Sequence, residues 1–520
     1  MLRLLLIAGC VACIFGKPND WVEDNDYDRD RAHAYIARSS SSSNVNPDEA
    51  TASFWNSQAD KTIADRLKNT INTNVAKNVI LFLGDGMSIT TLAASRMHMG
   101  QRNNENGEQS QLSFEKFPYT GLSKTYCVDR QVADSACSAT AYLCGVKANE
   151  GTSGVTAKVL RKDCKAMMDK ANHVYSVAHY SQLKGKRTGL VTTTRVTHAS
   201  PSAVYAHTAY REWEGDSDIA RDNEDTNACD DIAEQLVNGD TGKNLNVIFG
   251  GGREKFTPNT EVDPTNNKGS RLDGKNLINE WKQKRGSAKH QYVHDRAGLQ
   301  GIANDTEYAL GLFSTGHMDY NLLRNKEVQP SLEEMTVKAI RLLSQGDKGF
   351  FLFVEGGLID FGHHANQARI ALDETIEFQK AIQAAVDITN EQDTLIVVTS
   401  DHAHTMTLNG YPERGNDVLG FGGKGTDGID YTTLSYANGP SASVKSERSD
   451  PSKADLSKPE TRFPSLVPIK YETHGGEDVG IFARGPWAHL LTGVTEQNVI
   501  PHVLKYASCV GTVDGKCAGQ

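Results

Sequence analysis

Three short apolar runs constrain this chain more than any other feature. Residues 78–83 read NVILFL, residues 349–354 read GFFLFV, and residues 394–399 read TLIVVT. Each is continuously hydrophobic rather than alternating, and each is bounded by turn-forming residues. That is the pattern of strands buried on both faces of a sheet. Residues 188–192 and 246–249 read the same way. Between the runs lie helical patterns: Leu332–Leu343 before the second run, and Phe378, Ile382, Ala385 and Val386 before the third. Strand followed by helix, repeated, predicts an α/β fold: a three-layer sandwich whose large, mostly parallel central sheet is flanked by helices. A chain of 520 residues, 38% hydrophobic and 23% charged, can fill such a core. The same figures exclude a disordered chain, a collagen and a multi-span membrane protein.

The ends of these strands carry the chemistry. Gly84-Asp85-Gly86 follows the first run. Glu355-Gly356-Gly357 follows the second, with Asp360, His363 and His364 close behind. Ser400-Asp401-His402-Ala403-His404 follows the third. Open α/β sheets bind ligands beyond the carboxyl ends of their strands. Asp360 and His364 are four residues apart, so on a helix they share a face. A single Asp after a strand is usually a helix N-cap, and a single Asp-His pair is usually a satisfied loop. Three such ends with glycines beside them point instead to a metal site. The donors suit zinc, with harder oxygen ligands nearby for magnesium.

The candidate nucleophile is Ser135, in Val132-Ala133-Asp134-Ser135-Ala136-Cys137-Ser138, where small residues run on to Gly145. The pattern predicts a helix that starts at Ser135, with its positive end facing an anion. The bland alternative makes Ser135 an N-cap only. No Gly-x-Ser-x-Gly elbow occurs, so a hydrolase triad has no support. Residues 420–426, GFGGKGT, imitate a phosphate-binding loop, but Gly rather than Ser or Thr follows the lysine. The segment reads as a flexible loop.

Lys plus Arg total 55 and Asp plus Glu total 65, a net charge of −10. No basic excess exists to neutralise a nucleic acid, so none is expected as a partner. Arg3, the apolar run 4–15 and the small Gly16 read as a signal peptide over residues 1–16. The expected location is secreted. Ile7-Ala8-Gly9-Cys10 imitates a lipoprotein box, but the apolar stretch before it is short and continues past it. Residues 17–45 form an acidic, Ser-rich flexible extension. Residues 46–409 and 473–520 form the main domain, opened by a helix from Asn46. Residues 410–472, rich in Gly, Ser, Asp and Pro, form an insertion with one strand-like patch at 431–436. Seven cysteines follow the leader, so at least one is a free thiol or pairs between chains. A short bridge between Cys509 and Cys517 would pin the C-terminus. Asn304-Asp305-Thr306 is a glycosylation sequon, and no hydrophobic tail signals a GPI anchor or a transmembrane segment.

Taken in order, the GDGM turn at Gly84, Asp134-Ser135-Ala136, EGGLIDFGHH from Glu355, SDHAH from Ser400 and THGGED from Thr473 resemble the alkaline phosphatases, the animal enzymes most closely. The resemblance runs from about residue 50 to about 517. It implies hydrolysis of phosphate monoesters at alkaline pH through a phosphoserine at Ser135. It also implies two zinc ions and one magnesium ion per subunit. Asp360, His364 and His474 would hold one zinc; Asp85, Asp401 and His402 the other; Asp85, Ser200 and Glu355 the magnesium. Arg211 would grip phosphate through its planar fork. His198 keeps the animal-type residue beside magnesium. Phe361 departs from the family's His or Lys, so a polar contact there is lost. Of the calcium ligands of mammalian members only Glu261 remains, with Ser314 and Gln329 at two others, so calcium binding is expected to be weak or absent. The family pairs Cys164–Cys229 and Cys509–Cys517 and leaves Cys144 free. Cys127 and Cys137 depart from the mammalian pattern and could form an extra bridge beside the nucleophile. Members form homodimers, with residues 46–70 reaching across and residues 410–472 forming a crown-like region at the interface. The competing readings are a sulfatase or phosphodiesterase of the same superfamily, or an inactive binding protein that keeps the scaffold. Sulfatases need a Cys-x-Pro-x-Arg motif, absent here, and phosphodiesterases of this fold usually carry Thr at the nucleophile position.

Overall fold

In the central strands, neighbouring side chains go to opposite sides of the sheet, and both sides are apolar. The computed structural model describes residues 46–519 apart from 227, 445 and 446; the leader and the extension read at 1–16 and 17–45 lie outside the described residues. In β1 (Asn78–Gly84), Val79, Leu81 and Leu83 enter one core while Ile80 and Phe82 enter the other. β7 (Phe350–Gly356) and β8 (Thr394–Ser400) divide in the same way, with Phe351, Phe353, Leu395 and Val397 on the first side and Leu352, Val354, Ile396 and Val398 on the second. The period of two makes each strand serve two layers at once. Helices Val177–Leu183, Ile232–Asn238, Leu277–Arg285 and Val499–Ala507 supply the first core. Helices Leu332–Leu343 and Ala368–Ile388 supply the second.

The sheet has ten strands. Besides β1, β7 and β8 these are β2 (Tyr119–Lys124), β3 (Arg187–Arg195), β4 (Val247–Gly251), β5 (His290–Val293), β6 (Tyr308–Leu312), Val479–Arg484 and Gly493–Glu496. Their order is Gly493–Glu496, β2, Val479–Arg484, β8, β1, β7, β3, β4, β6, β5. Val479–Arg484 runs antiparallel to both neighbours; the other pairs are parallel. The α/β sandwich expected from the apolar runs is the fold observed. β8, β1, β7 and β3 are adjacent at its centre, which brings the three carboxylate-bearing strand ends side by side.

Two elements differ from the sequence reading. The glycine-rich 420–426 segment is not simply a flexible loop: Phe421–Lys424 pairs with Asp430–Thr432, and a bulge between Phe421 and Gly423, with Gly423 at φ 150°, absorbs the mismatch. The patch at 431–436 is split at Thr433, so that Leu434–Gly439 leaves the hairpin and joins Met406–Leu408 and Ser465–Pro468 in a three-stranded sheet. At the N-terminal end a short 3-10 turn, Pro47–Ala50, precedes helix Ala52–Leu67, because Thr51 turns extended and caps the helix. None of that helix is buried in the protomer.

Disulfides join Cys164 to Cys229, Cys509 to Cys517 and Cys127 to Cys137, and Cys144 is a buried free thiol. Among the described residues no helix is long and apolar enough to cross a membrane.

Candidate active site

Asp85 follows β1 but caps nothing. Gly86 turns the chain at φ 68°, and Ser88, not Asp85, caps helix Ile89–Arg102. A Cβ on Gly86 would lie 2.4 Å from the His404 ring, so the turn requires glycine. The Asp85 carboxylate lies buried among other donors at the ends of β8, β1 and β7.

Two groups of donors meet there. The inner group is Asp85, Asp401 and His402, all buried. His402 Nε2 lies 3.1 Å from Asp401 Oδ2 and 3.5 Å from Asp85 Oδ1. It also lies 3.2 Å from Ser135 Oγ. The outer group is Asp360, His364 and His474. Asp360 Oδ1 is 3.2 Å from His364 Nε2 and 3.4 Å from His474 Nε2, and those two nitrogens are 3.1 Å apart. Asp360 and His364 do share a face of helix Leu358–His364. The histidine rings of the two groups stack, His402 on His474, with centroids 3.5 Å apart.

Backbone carbonyls fix the tautomers. His364 Nδ1 donates to Glu472 O at 2.5 Å, His474 Nδ1 to Ala133 O at 2.7 Å, and His402 Nδ1 to Ala403 O at 3.2 Å. A carbonyl can only accept, so each ring keeps its proton there and turns the lone pair of Nε2 inward. Asp85 Oδ1, Asp401 Oδ2 and Glu355 Oε1 are buried and accept no hydrogen bond. Burial, then the charges of Asp401, Asp360 and Glu355, push the Asp85 carboxyl well above its usual range. Burial also raises Asp401, and pushes Glu355 up to about 7 against the hydrogen bonds of Thr192 and Thr194. Burial, then the neighbouring His474, drives His402 well below its usual range. Neutral imidazoles and unpaired carboxylate oxygens, crowded without a compensating charge, are what divalent cations satisfy. The donor set therefore fits the metals.

The third expected set also converges. Ser200 Oγ donates to Asp85 Oδ2 at 3.4 Å, and Asp85, Glu355 and His198 present ligand atoms within 4.8 Å of one another. Thr192 and Thr194, at the end of β3, both donate to Glu355 Oε2.

Ser135 opens helix Ser135–Ala139, and Asp134 is its cap. Asp134 does more than a cap. It accepts from Ala136 N and Cys137 N at the helix start, and its Oδ2 takes Arg211 Nη1 at 3.1 Å. Arg211 Nη2 donates to His198 Nε2 at 3.1 Å, while its Nε is buried and donates to nothing. Burial opposes the Arg211 charge, but Asp134 and Glu212 raise its pKa further. Phe361 packs against the rings of His198 and His317, at centroid distances of 5.6 and 4.4 Å.

Sequence reasoning left several members without a role. His404 Nε2 is 2.7 Å from Asp360 Oδ1, and its Nδ1 meets the buried carboxylate of Glu472. Burial opposes a charge on His404, but Glu472 and Asp360 hold its pKa up at about 10. Burial would raise Asp360, yet its histidine neighbours, His364 first and then His404, hold it well below its usual range. The second His of SDHAH was the available signal; nothing local marked Glu472 or His317, or Asp134 as a partner of Arg211.

A family model described as alkaline phosphatase matches residues 76–510. The chain belongs to the alkaline phosphatase family. It is a phosphatase. Among curated alkaline phosphatases, the membrane-bound enzyme of Bombyx mori is 46% identical over 474 residues, covering 89% of this chain and 86% of its own. The tissue-nonspecific isozyme of Rattus norvegicus is 46% identical over 481 residues, with 90% and 91% covered. Solved alkaline phosphatases agree in fold. That of the Antarctic bacterium TAB5 has a TM-score of 0.57 at 23% identity, covering 85% of this chain and 100% of its own. That of Thermus thermophilus has 0.61 at 22%, covering 85% and 93%.

Proposed function

We propose that this alkaline phosphatase hydrolyses phosphate monoesters by in-line phosphoryl transfer to Ser135. The Oγ–P bond forms as the ester P–O bond breaks and the alcohol leaves. Water then cleaves Oγ–P, releasing inorganic phosphate and restoring the hydroxyl. One observation carries the reading: three Nε2 lone pairs and the unpaired oxygens of Asp85 and Asp401 gather within reach of one another, with Ser135 Oγ 3.2 Å from His402.

In this reading Asp360, His364 and His474 hold one zinc, Asp85, Asp401 and His402 a second, and Asp85, Ser200 and Glu355 a magnesium. When bound, these cations supply the positive charge that lowers the hydroxyl's pKa and offsets charge on the entering and leaving oxygens. The remaining work belongs to side chains. Asp134 fixes both the start of the nucleophile helix and the Arg211 fork, so serine and arginine are positioned by one carboxylate. Arg211 binds two non-bridging oxygens of the phosphoryl group. His198, kept neutral by burial and then by Arg211, steadies the fork without competing for the anion.

The leader at 1–16 supports export, and exposed Asn304 supports a glycan. Helix Ala52–Leu67, none of which is buried, supports a homodimer in which it packs on the partner, with 410–472 as the crown-like region. Gln329 Oε1 is already engaged by Asp319 N and Glu261 by Asn276, which supports a weak calcium site at most.

The test compares purified full-length chain on a chromogenic phosphate monoester, a phosphate diester and a sulfate ester at alkaline pH, with and without chelator. The monoester should be turned over far faster than the others, and chelation should abolish it. Preference for the diester or sulfate, or no turnover of any, would overturn the assignment.

A further inference from the structure

The outer ligands sit on two segments, helix Leu358–His364 and the turn that leads into His474. Both segments are tied to one strand of the small three-stranded sheet, Leu434–Gly439. Tyr436 O–H lies 3.0 Å from His363 Nδ1, and His363 Nε2 lies 3.0 Å from Thr91 Oγ1. His363 is fully buried and directly precedes the ligand His364. A neutral imidazole offers one donor and one acceptor, so these two bonds satisfy the ring and lock it from both sides.

The next residues of the strand continue the attachment. Ala437 N donates to Thr405 Oγ1 at 3.2 Å, and Thr405 in turn donates to Glu472, the partner of His404, from its N at 2.7 Å and its Oγ1 at 2.5 Å. The Asn438 amide pairs both ways with Thr473, the residue before His474: Nδ2 to Thr473 Oγ1 at 2.9 Å, and Thr473 N to Oδ1 at 2.9 Å. The Asn438 carbonyl also accepts from Asn366 at 3.2 Å, two residues beyond His364. Alternation along the strand puts Ser435 on the other side, against Thr407 and Asn409.

We propose that strand Leu434–Gly439 is a brace for the outer ligands, and that Tyr436 and Asn438 are positioning residues that set how tightly this group holds its cation. The inference rests on the reading that Asp360, His364 and His474 bind a cation. Metal sites tolerate only small errors in ligand position, and the partners that orient ligands are worth about 10–100-fold in metal affinity.

The experiment strips metal from the full-length protein and measures zinc uptake by equilibrium dialysis against buffered free zinc. It compares wild type, Tyr436→Phe, Asn438→Ala and the control Ser435→Ala, with the Tm of each stripped protein. Tyr436→Phe and Asn438→Ala should weaken one class of zinc by about 10-fold or more and leave the other class and the stripped Tm unchanged. Their turnover should recover as free zinc is raised, which a distorted fold would not allow. Ser435→Ala should match wild type. Unchanged zinc affinity in both variants would overturn the brace. So would an equal loss in both zinc classes, or a loss that follows a lowered stripped Tm. Wild type that takes up no zinc would overturn the underlying reading of the site instead.

Discussion

Ser135 is the residue on which turnover should depend most. In the proposed reaction its hydroxyl is the attacking group, whereas the proposed metal donors around it belong to other segments. Ser135→Ala should therefore lower kcat by about 10³-fold or more while zinc content stays that of wild type. Steady-state kinetics beside elemental analysis checks this, and a variant with near wild-type kcat would remove Ser135 from the role. A second residue bears on stability. Glu374 is buried, and burial, with Asp373 adding to it, pushes its carboxyl up to about 8 although Asn321 N donates to it. The folded state therefore binds a proton that the unfolded chain releases near the ordinary glutamate pKa. Stability contributed by this group is present at low pH and falls as pH rises from about 4.5 through about 8. Glu374→Gln keeps the acceptor and removes the titration. Its Tm should gain on wild type steadily across that window, the equivalent in unfolding free energy being on the order of a few kcal/mol. Parallel Tm profiles would contradict the assignment.

At the scale of elements, the disulfide Cys127–Cys137 closes a short loop that ends two residues beyond Ser135. The loop contains Ala133, whose carbonyl orients the outer ligand His474, and Asp134, which caps the nucleophile helix. Replacing both cysteines with Ala should cost about 2–3 kcal/mol by releasing chain entropy and should also weaken zinc retention. Chemical denaturation and dialysis measure the two effects, and a stability loss without any change in zinc would separate the bridge from the site. The strands at the heart of the fold were legible because β1, β7 and β8 are buried on both faces and so carry continuous apolar runs along most of their length. Asp85, Glu355 and Asp401 were legible because they sit where such strands end. The helix-face pair Asp360 and His364 followed from spacing alone. Glu472, 68 residues from His404, carried no local signal. Nor did Asp134 as a partner of Arg211, 77 residues away. Those contacts exist only once the sheet order is set. The 420–426 segment misled for the opposite reason: its glycines permit a loop, but they also permit the bulge through which it pairs.

For the whole molecule, helix Ala52–Leu67 has no residue buried against the described residues, with Trp55 48% and Leu67 81% exposed. Such apolar residues on a projecting arm are expected to be covered by a second copy. Removing residues 46–70 should shift sedimentation toward the monomer without abolishing the fold, and an unchanged dimer would place the interface elsewhere. The same scale holds the central claim. Donors from β1, β8, helix Leu358–His364 and the His474 turn, hundreds of residues apart in sequence, are gathered by the sheet into one cluster, which we propose holds the cations that give Ser135 its reactivity. The most direct measurement follows zinc content and turnover together as purified protein is depleted of metal and then replenished. Turnover should fall and return in step with bound zinc. Protein that is free of zinc, folded and fully active would contradict the account.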